Sequence, residues 1–185
     1  ICGGYQMLGE SIEDPDGEEG GGSLHGMGLL PVRTVFGKEK VQTRVTGEIL
    51  QNPGAGDGLF SALSGSVFSG YEIHMGHTTG NGKNSFSRIR TLTNGSTEAE
   101  EDWQADGAVC GNVAGTYVHG LFEDGSLTKN LCGALLSKKG ICAEALTQDY
   151  GAFKESQYDL LAAEVRKVLD MEQIYRMMEK QEGDR

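Results

Sequence analysis

The chain has 185 residues, 37% hydrophobic and 23% charged, which is enough apolar material to bury a core within one ordinary domain. Its formal net charge of -11 excludes a protein that works by neutralising nucleic-acid phosphates, because that affinity rests on lysine and arginine. No apolar run approaches the roughly 20 residues that span a bilayer, and nothing resembles a secretory signal, so the expected location is cytoplasmic with no membrane partner.

The chain opens on Ile1-Cys2-Gly3-Gly4-Tyr5-Gln6-Met7-Leu8-Gly9. A cysteine followed at once by two glycines and a short apolar run reads as a thiol on a sharp turn, ahead of a helix predicted over residues 5–12. Residues 13–22 are acidic and glycine-rich and read as a surface loop. Strands are predicted over 28–36 and 40–50, the second with partial alternation of apolar and polar residues. A turn-rich interval, 51–58, leads to further extended segments at 67–78 and 85–93, and the polar stretch 94–106 reads as a loop around Trp103. Residues 107–120 contain two β-prone runs joined at Gly111-Asn112, a favoured two-residue hairpin turn, and the second run ends at His119. The remainder is helical in pattern. One helix is predicted over 126–138, with Leu127, Leu131, Leu135 and Leu136 near one face, and one over 157–169. A last helix over 171–179 is capped by Asp170. Strands first and helices last, with a helix directly after the thiol turn, predict an α/β layered domain.

Cys2, Cys110, Cys132 and Cys142 have none of the paired spacings of a zinc site, and they read as reduced thiols rather than a disulfide framework. Only Cys2 has a reactive-looking context. Thiolates are favoured at helix N-termini, where unpaired N–H groups attract negative charge, and small neighbours let a substrate carbonyl approach backbone donors. The plainer alternative is an ordinary small buried residue. A cysteine nucleophile needs a base, and His25, His74, His77 and His119 are the histidines available. His25 lies beside the glycine-rich loop and is expected to face solvent. His74 and His77, three apart on a predicted strand, are expected on opposite faces and therefore do not share a metal; no metal is expected. His119, at the end of a β-prone run and just before Gly120, is best placed to emerge from a sheet edge beside a thiol.

Three segments in order, the opening run, Tyr71-Glu72-Ile73-His74-Met75-Gly76, and Gly115-Thr116-Tyr117-Val118-His119-Gly120-Leu121-Phe122, together resemble the signature segments of the glutamine amidotransferases of cobalamin biosynthesis, most nearly the cobyric acid synthase branch. The resemblance runs from residue 1 to roughly the C-terminal helices. It implies a class I amidotransferase-like layered α/β fold in which Cys2 is the nucleophile and His119 the base. Glutamine is the implied substrate, and the ammonia released from it amidates carboxylates of a corrin ring. The Gly3 N–H is the implied oxyanion donor, and Gln6 matches a position that helps hold glutamine, with an exposed helix residue as the alternative. Glu72 and His74 line either the glutamine pocket or the face toward a partner domain, or are structural. Many cysteine glutaminases carry a glutamate two residues after the histidine; here Leu121 stands there, leaving a Cys–His dyad, or Glu123 or Glu72 as substitute.

In the family a strand precedes the cysteine, an earlier loop supplies a second oxyanion donor, and an ATP-dependent synthetase domain lies further upstream. Residues 1–185 are therefore expected to be the C-terminal part of a longer synthetase, a partial amidotransferase domain lacking its N-terminal strands and weakly active or inactive alone. No cofactor is expected in this part; ATP and Mg are expected in the synthetase domain. The alternatives are a glutaminase serving a,c-diamide formation on the same corrin or a cell-wall lipid amidating enzyme, and a catalytically silent docking domain.

Overall fold

The computed structural model describes residues 1–51, 58–80, 82–92, 103–123, 125–142 and 150–182. Most of the turn-rich interval 51–58 and the first part of the predicted 94–106 loop lie outside the described residues. The chain forms two compact units, Ile1–Leu146 and Thr147–Arg185.

The first unit begins with helix α1, Gly3–Leu8, which starts directly after Cys2 and is shorter than the predicted 5–12. It stops because its last carbonyls turn to other partners: Met7 O accepts the Met27 N–H at 2.8 Å, and Leu8 O accepts those of Leu29 and Leu30 at 2.9 Å. Residues beyond Gly9 then enter strand β1, Ser11–Asp14, which pairs antiparallel with β2, Gly22–His25, and parallel with β3, Arg33–Ile49. The predicted loop at 13–22 is thus confined to the connection between β1 and β2. There the Asp14 carboxylate accepts the N–H groups of Glu18, Glu19 and Gly21 at 2.8 to 2.9 Å and so orders an acidic turn. Burial alone would raise the Asp14 carboxyl, but these and the Gly17 N–H together hold it below the usual carboxylate range.

The two strands predicted over 28–50 are one. β3 runs 17 residues, and its ladder with β4, Val67–Thr79, shifts register between Val35 and Lys40. β3 also pairs with β5, Ser87–Thr91, which pairs in turn with β6, Gln104–Asp106, so the C-terminal end of the predicted 94–106 loop is a strand. β7, Ala108–Cys110, and β8, Val113–Gly115, form a separate hairpin around the expected Gly111-Asn112 turn, where Gly111 has φ 57°. β9, Val118–His119, closes the seven-stranded mixed sheet against β4. Helix α2, Gly125–Lys138, and the short helical turn Leu59–Leu63 cover the main core of Val45, Ile49, Leu63, Phe68, Val118 and Leu127. A smaller cluster of Tyr5, Leu30, Val32, Ala108 and Tyr117 lies under α1.

The second unit contains α3, Tyr150–Val168, and α4, Met171–Glu182. α3 begins at Tyr150, ahead of the 157–169 span that its apolar spacing predicts. Asp170 caps α4 as expected, its carboxylate accepting the Gln173 N–H at 3.0 Å. Among the described residues no helix is long and apolar enough to cross a membrane.

Candidate active site

Cys2 is the one described residue other than glycine with a positive φ, 53° with ψ -122°. Such a conformation costs an L-residue on the order of 1–3 kcal/mol and persists only where the surroundings determine it. Here they do. The Cys2 N–H donates to Thr116 O at 3.0 Å, its carbonyl accepts the Gln6 N–H at 3.1 Å, and Sγ lies 3.5 Å from Ile73 O. The thiol therefore stands at the N-terminal end of α1, where the first N–H groups of a helix have no intrahelical acceptor. The Gly4 N–H donates to Ile1 O at 3.1 Å, and a Cβ placed on Gly3 or Gly4 would meet nothing within 4 Å, so no side chain or neighbouring backbone crowds this end of the helix at those positions.

The rest of α1 is anchored from below. Tyr5 is 1% exposed and meets Tyr117 edge to face, with ring centroids 5.2 Å apart. Burial holds its phenol well above the usual tyrosine range, and the Asp106 and Tyr117 charges add to this. Gln6 is buried, which removes the exposed-residue alternative. Its Nε2 donates to Met75 O at 3.0 Å and to Tyr117 Oη at 3.1 Å. Tyr117 is held further by Thr78, Oγ1 to Oη 2.5 Å, and by the His74 ring stacked on it at 3.7 Å.

His119 faces Tyr71 across the β4–β9 ladder, and Val118 faces Glu72. Both members of the expected pair are thus tied to the same two segments: Cys2 to Ile73 and Thr116, His119 to Tyr71 and, through the chain, to Thr116. Among the described residues, His119 Nε2 is the buried side-chain polar atom with no hydrogen-bond partner. Leaving such an atom unsatisfied costs about 1–3 kcal/mol, so its retention calls for a functional explanation. Glu72 is not its orienting group. Glu72 Oε1 lies 2.9 Å from His74 Nε2, while His74 Nδ1–H donates to Gly76 O at 3.0 Å. Strand alternation puts Glu72 and His74 on the face opposite Tyr71. Glu123 lies nearer, with Oε1 3.8 Å from where a Cβ on Gly120 would sit.

Strand alternation holds here: His74, stacked on Tyr117, shares its face with Thr78, whose hydroxyl bonds Tyr117 Oη, and the exposed His77 next to Thr78 belongs to the other face, although both histidines border one cavity of about 300 Å³. His25 is exposed as expected, but on β2. All four cysteines are free thiols.

Two features have little trace in the sequence pattern. A second cavity, of about 270 Å³, opens beside His119 between Arg44, Ser69, Gly70, Tyr71, Gly120 and Glu123. Asp106, in a segment whose composition suggests a loop, is a buried carboxylate. It accepts Ser87 Oγ–H at 2.7 Å, Thr116 Oγ1–H at 2.5 Å and the Tyr117 N–H at 3.4 Å. Burial pushes its carboxyl up against those hydrogen bonds, and the Glu72 charge pushes the same way. The sequence signal for it is the Thr116-Tyr117 step before the histidine, since a buried hydroxyl and phenol need buried partners.

The site thus holds a thiol on a strained turn at a helix start and, on β9, a half-buried histidine whose buried Nε2 has no partner among the described residues. The CobB/CobQ-like glutamine amidotransferase domain family matches residues 1–127, and the chain belongs to that family. Among curated proteins it is 44% identical over 183 residues to the cobyric acid synthase of Lachnoclostridium phytofermentans, covering 97% of this chain and 35% of that protein. The cobyric acid synthases of Ruminiclostridium cellulolyticum, 45% identical over 181 residues, and Citrobacter koseri, 42% over 181, are matched over 97% of this chain and 34% of their own length. The chain thus spans about a third of the length of these relatives.

Proposed function

We propose that this chain is the glutaminase part of an ATP-dependent enzyme that amidates corrin carboxylates, as the name cobyric acid synthase implies for its relatives, with Cys2 as nucleophile and His119 as base. The observation that carries the reading is the buried, unpaired His119 Nε2 on the strand that follows the Cys2-binding residue Thr116. Nε2 takes the thiol proton as Sγ attacks the side-chain amide carbon of glutamine, and returns it to the departing nitrogen, so that ammonia leaves and a thioester remains. Water, deprotonated by the same nitrogen, then releases glutamate and restores the thiol. Both steps pass through an oxyanion, for which the Gly3 N–H at the open end of α1 is the donor.

The cavity beside His119 suits the α-amino acid end of glutamine, Arg44 pairing with its carboxylate and Glu123 with its ammonium group. Gln6, Glu72 and His74 belong behind the site, because their polar atoms are engaged with Met75, Tyr117, Gly76 and one another. The strained Cys2 turn supports the class I layered fold, whose strand runs into such a turn. The relatives' greater length supports a synthetase domain as partner, the place for ATP, Mg and the corrin, with a cytoplasmic location for the whole.

The test is alkylation of the full-length protein with a glutamine-mimicking chloroketone, alongside glutamine hydrolysis by Cys2→Ala and His119→Ala. Labelling confined to Cys2, protected by glutamine, with both variants at least about 10³-fold slower, is the expected result. Labelling of Cys110 or Cys142 with Cys2 spared would overturn the reading.

A further inference from the structure

We propose that Asp106 is a positioning residue that fixes the Cys2–His119 pair through Thr116, an inference that rests on the glutaminase reading above. Asp106 ends β6, and among the described residues the backbone of β6 pairs with β5 alone and that of β9 with β4 alone. No described backbone ladder joins β6 to β9; the carboxylate does. Its Oδ2 accepts the hydroxyls of Ser87, from β5, and Thr116, and its Oδ1 accepts the Tyr117 N–H.

Thr116 makes the connection informative, because its hydroxyl and its carbonyl both lead to the site. Its Oγ1 donates to Asp106 and accepts the Val118 N–H at 2.9 Å, one residue before His119. Its carbonyl accepts the Cys2 N–H at 3.0 Å, one of the three contacts that hold the strained turn. A single residue therefore sets both the nucleophile's backbone and the approach to the base, and one buried carboxylate sets that residue. Asp106 is 4% exposed and borders the cavity on the His74 side rather than the one beside His119, so its path to the Cys2–His119 pair runs through Thr116. A carboxyl group in such a place is costly to desolvate and is compensated only by its converging donors. Packing alone would be served equally by an apolar side chain of similar volume.

The positioning role predicts a loss of turnover per reactive thiol rather than a loss of folded protein. In the full-length protein, Cys2 is titrated with the chloroketone and glutamine hydrolysis is expressed per titrated site. Asp106→Ala and Thr116→Val should each lower kcat per site about 100-fold with KM changed less than about threefold, the response to a displacement near 1 Å. Thr116→Ser, which keeps the hydroxyl, should restore kcat to within a few-fold. The double variant should be no slower than the slower single one, because both break one connection. If Asp106→Ala does not fold, the Thr116→Val and Thr116→Ser pair decides alone. Wild-type turnover per titrated site in Thr116→Val, with Cys2→Ala and His119→Ala inactive, would overturn the positioning role and leave the glutaminase reading standing. Activity in Cys2→Ala or His119→Ala would instead remove the reading itself.

Discussion

Gly70 sits on β4 one residue before the Tyr71–His119 pair, and replacing it by alanine tests whether β9 sets the histidine. A Cβ there would lie 2.2 Å from His119 O and 2.6 Å from Val118 Cγ1. An ordinary contact is about 3.5 Å, so relief requires a movement of about 1.3 Å. The direction of that movement follows from the sheet. β4 is paired with β3 from Arg33–Thr79 to Glu48–Val67, whereas β9 is held by two pairs. The short strand yields, and His119 moves with it by about 1 Å. Misplacement on that scale costs about 10²-fold in rate, or roughly 2.7 kcal/mol of barrier. Overpacking adds about 1–3 kcal/mol of lost stability. The assay is glutamine hydrolysis per titratable Cys2, with thermal unfolding measured alongside. A Gly70→Ala protein that folds and keeps kcat within about threefold of wild type would refute the argument, since either β9 would not position His119 or His119 would not handle the proton.

Asp106→Asn makes a pH prediction. Burial raises the Asp106 carboxyl in the folded chain, so folded protein holds its proton over a range where unfolded chain has lost it. The contribution of that proton is fully present below the ordinary aspartate value of about 4 and is lost as pH rises through the raised one. The wild-type unfolding midpoint should therefore fall relative to that of Asp106→Asn as pH increases from about 4, as followed by circular dichroism melts. A pH-independent offset would count against it. Arg44→Ala should raise KM for glutamine about 10-fold or more with kcat changed less, as measured by glutamate release, if the cavity beside His119 takes the carboxylate. An unchanged KM would place the amino acid end elsewhere.

The features legible in the sequence are those carried by neighbours in the chain. Cys2 with its glycines, the Gly111-Asn112 hairpin and the Asp170 cap each rest on local backbone geometry, and the structure has each of them. Pattern and structure part where a distant partner decides. α1 ends at Leu8 because residues 27–30 take its carbonyls, and the two predicted strands of 28–50 merge because β4 spans the break in their pattern. Asp106 sits in a loop-like composition because its partners Ser87 and Thr116 lie 19 and 10 residues away.

The distribution of buried groups bears on how this domain fails. The strain at Cys2 is opposed by α1, and α1 is held by the smaller cluster around Tyr5 and Tyr117 rather than by the main core. The main core draws its buried members from β3, β4, β5, β7, β9 and α2. The smaller one rests on Tyr5, Leu30, Val32, Ala108 and Tyr117, and the contacts of Gln6, Thr78 and His74 all meet at its Tyr117. Stability is therefore concentrated away from the thiol, while the geometry of the thiol depends on a thin layer beneath one short helix. When that layer loosens, Cys2 relaxes out of its positive-φ conformation and releases strain, so the change is partly favourable and the main core has no means of opposing it. Damage to the Tyr5–Tyr117 layer accordingly reaches activity before it reaches the fold.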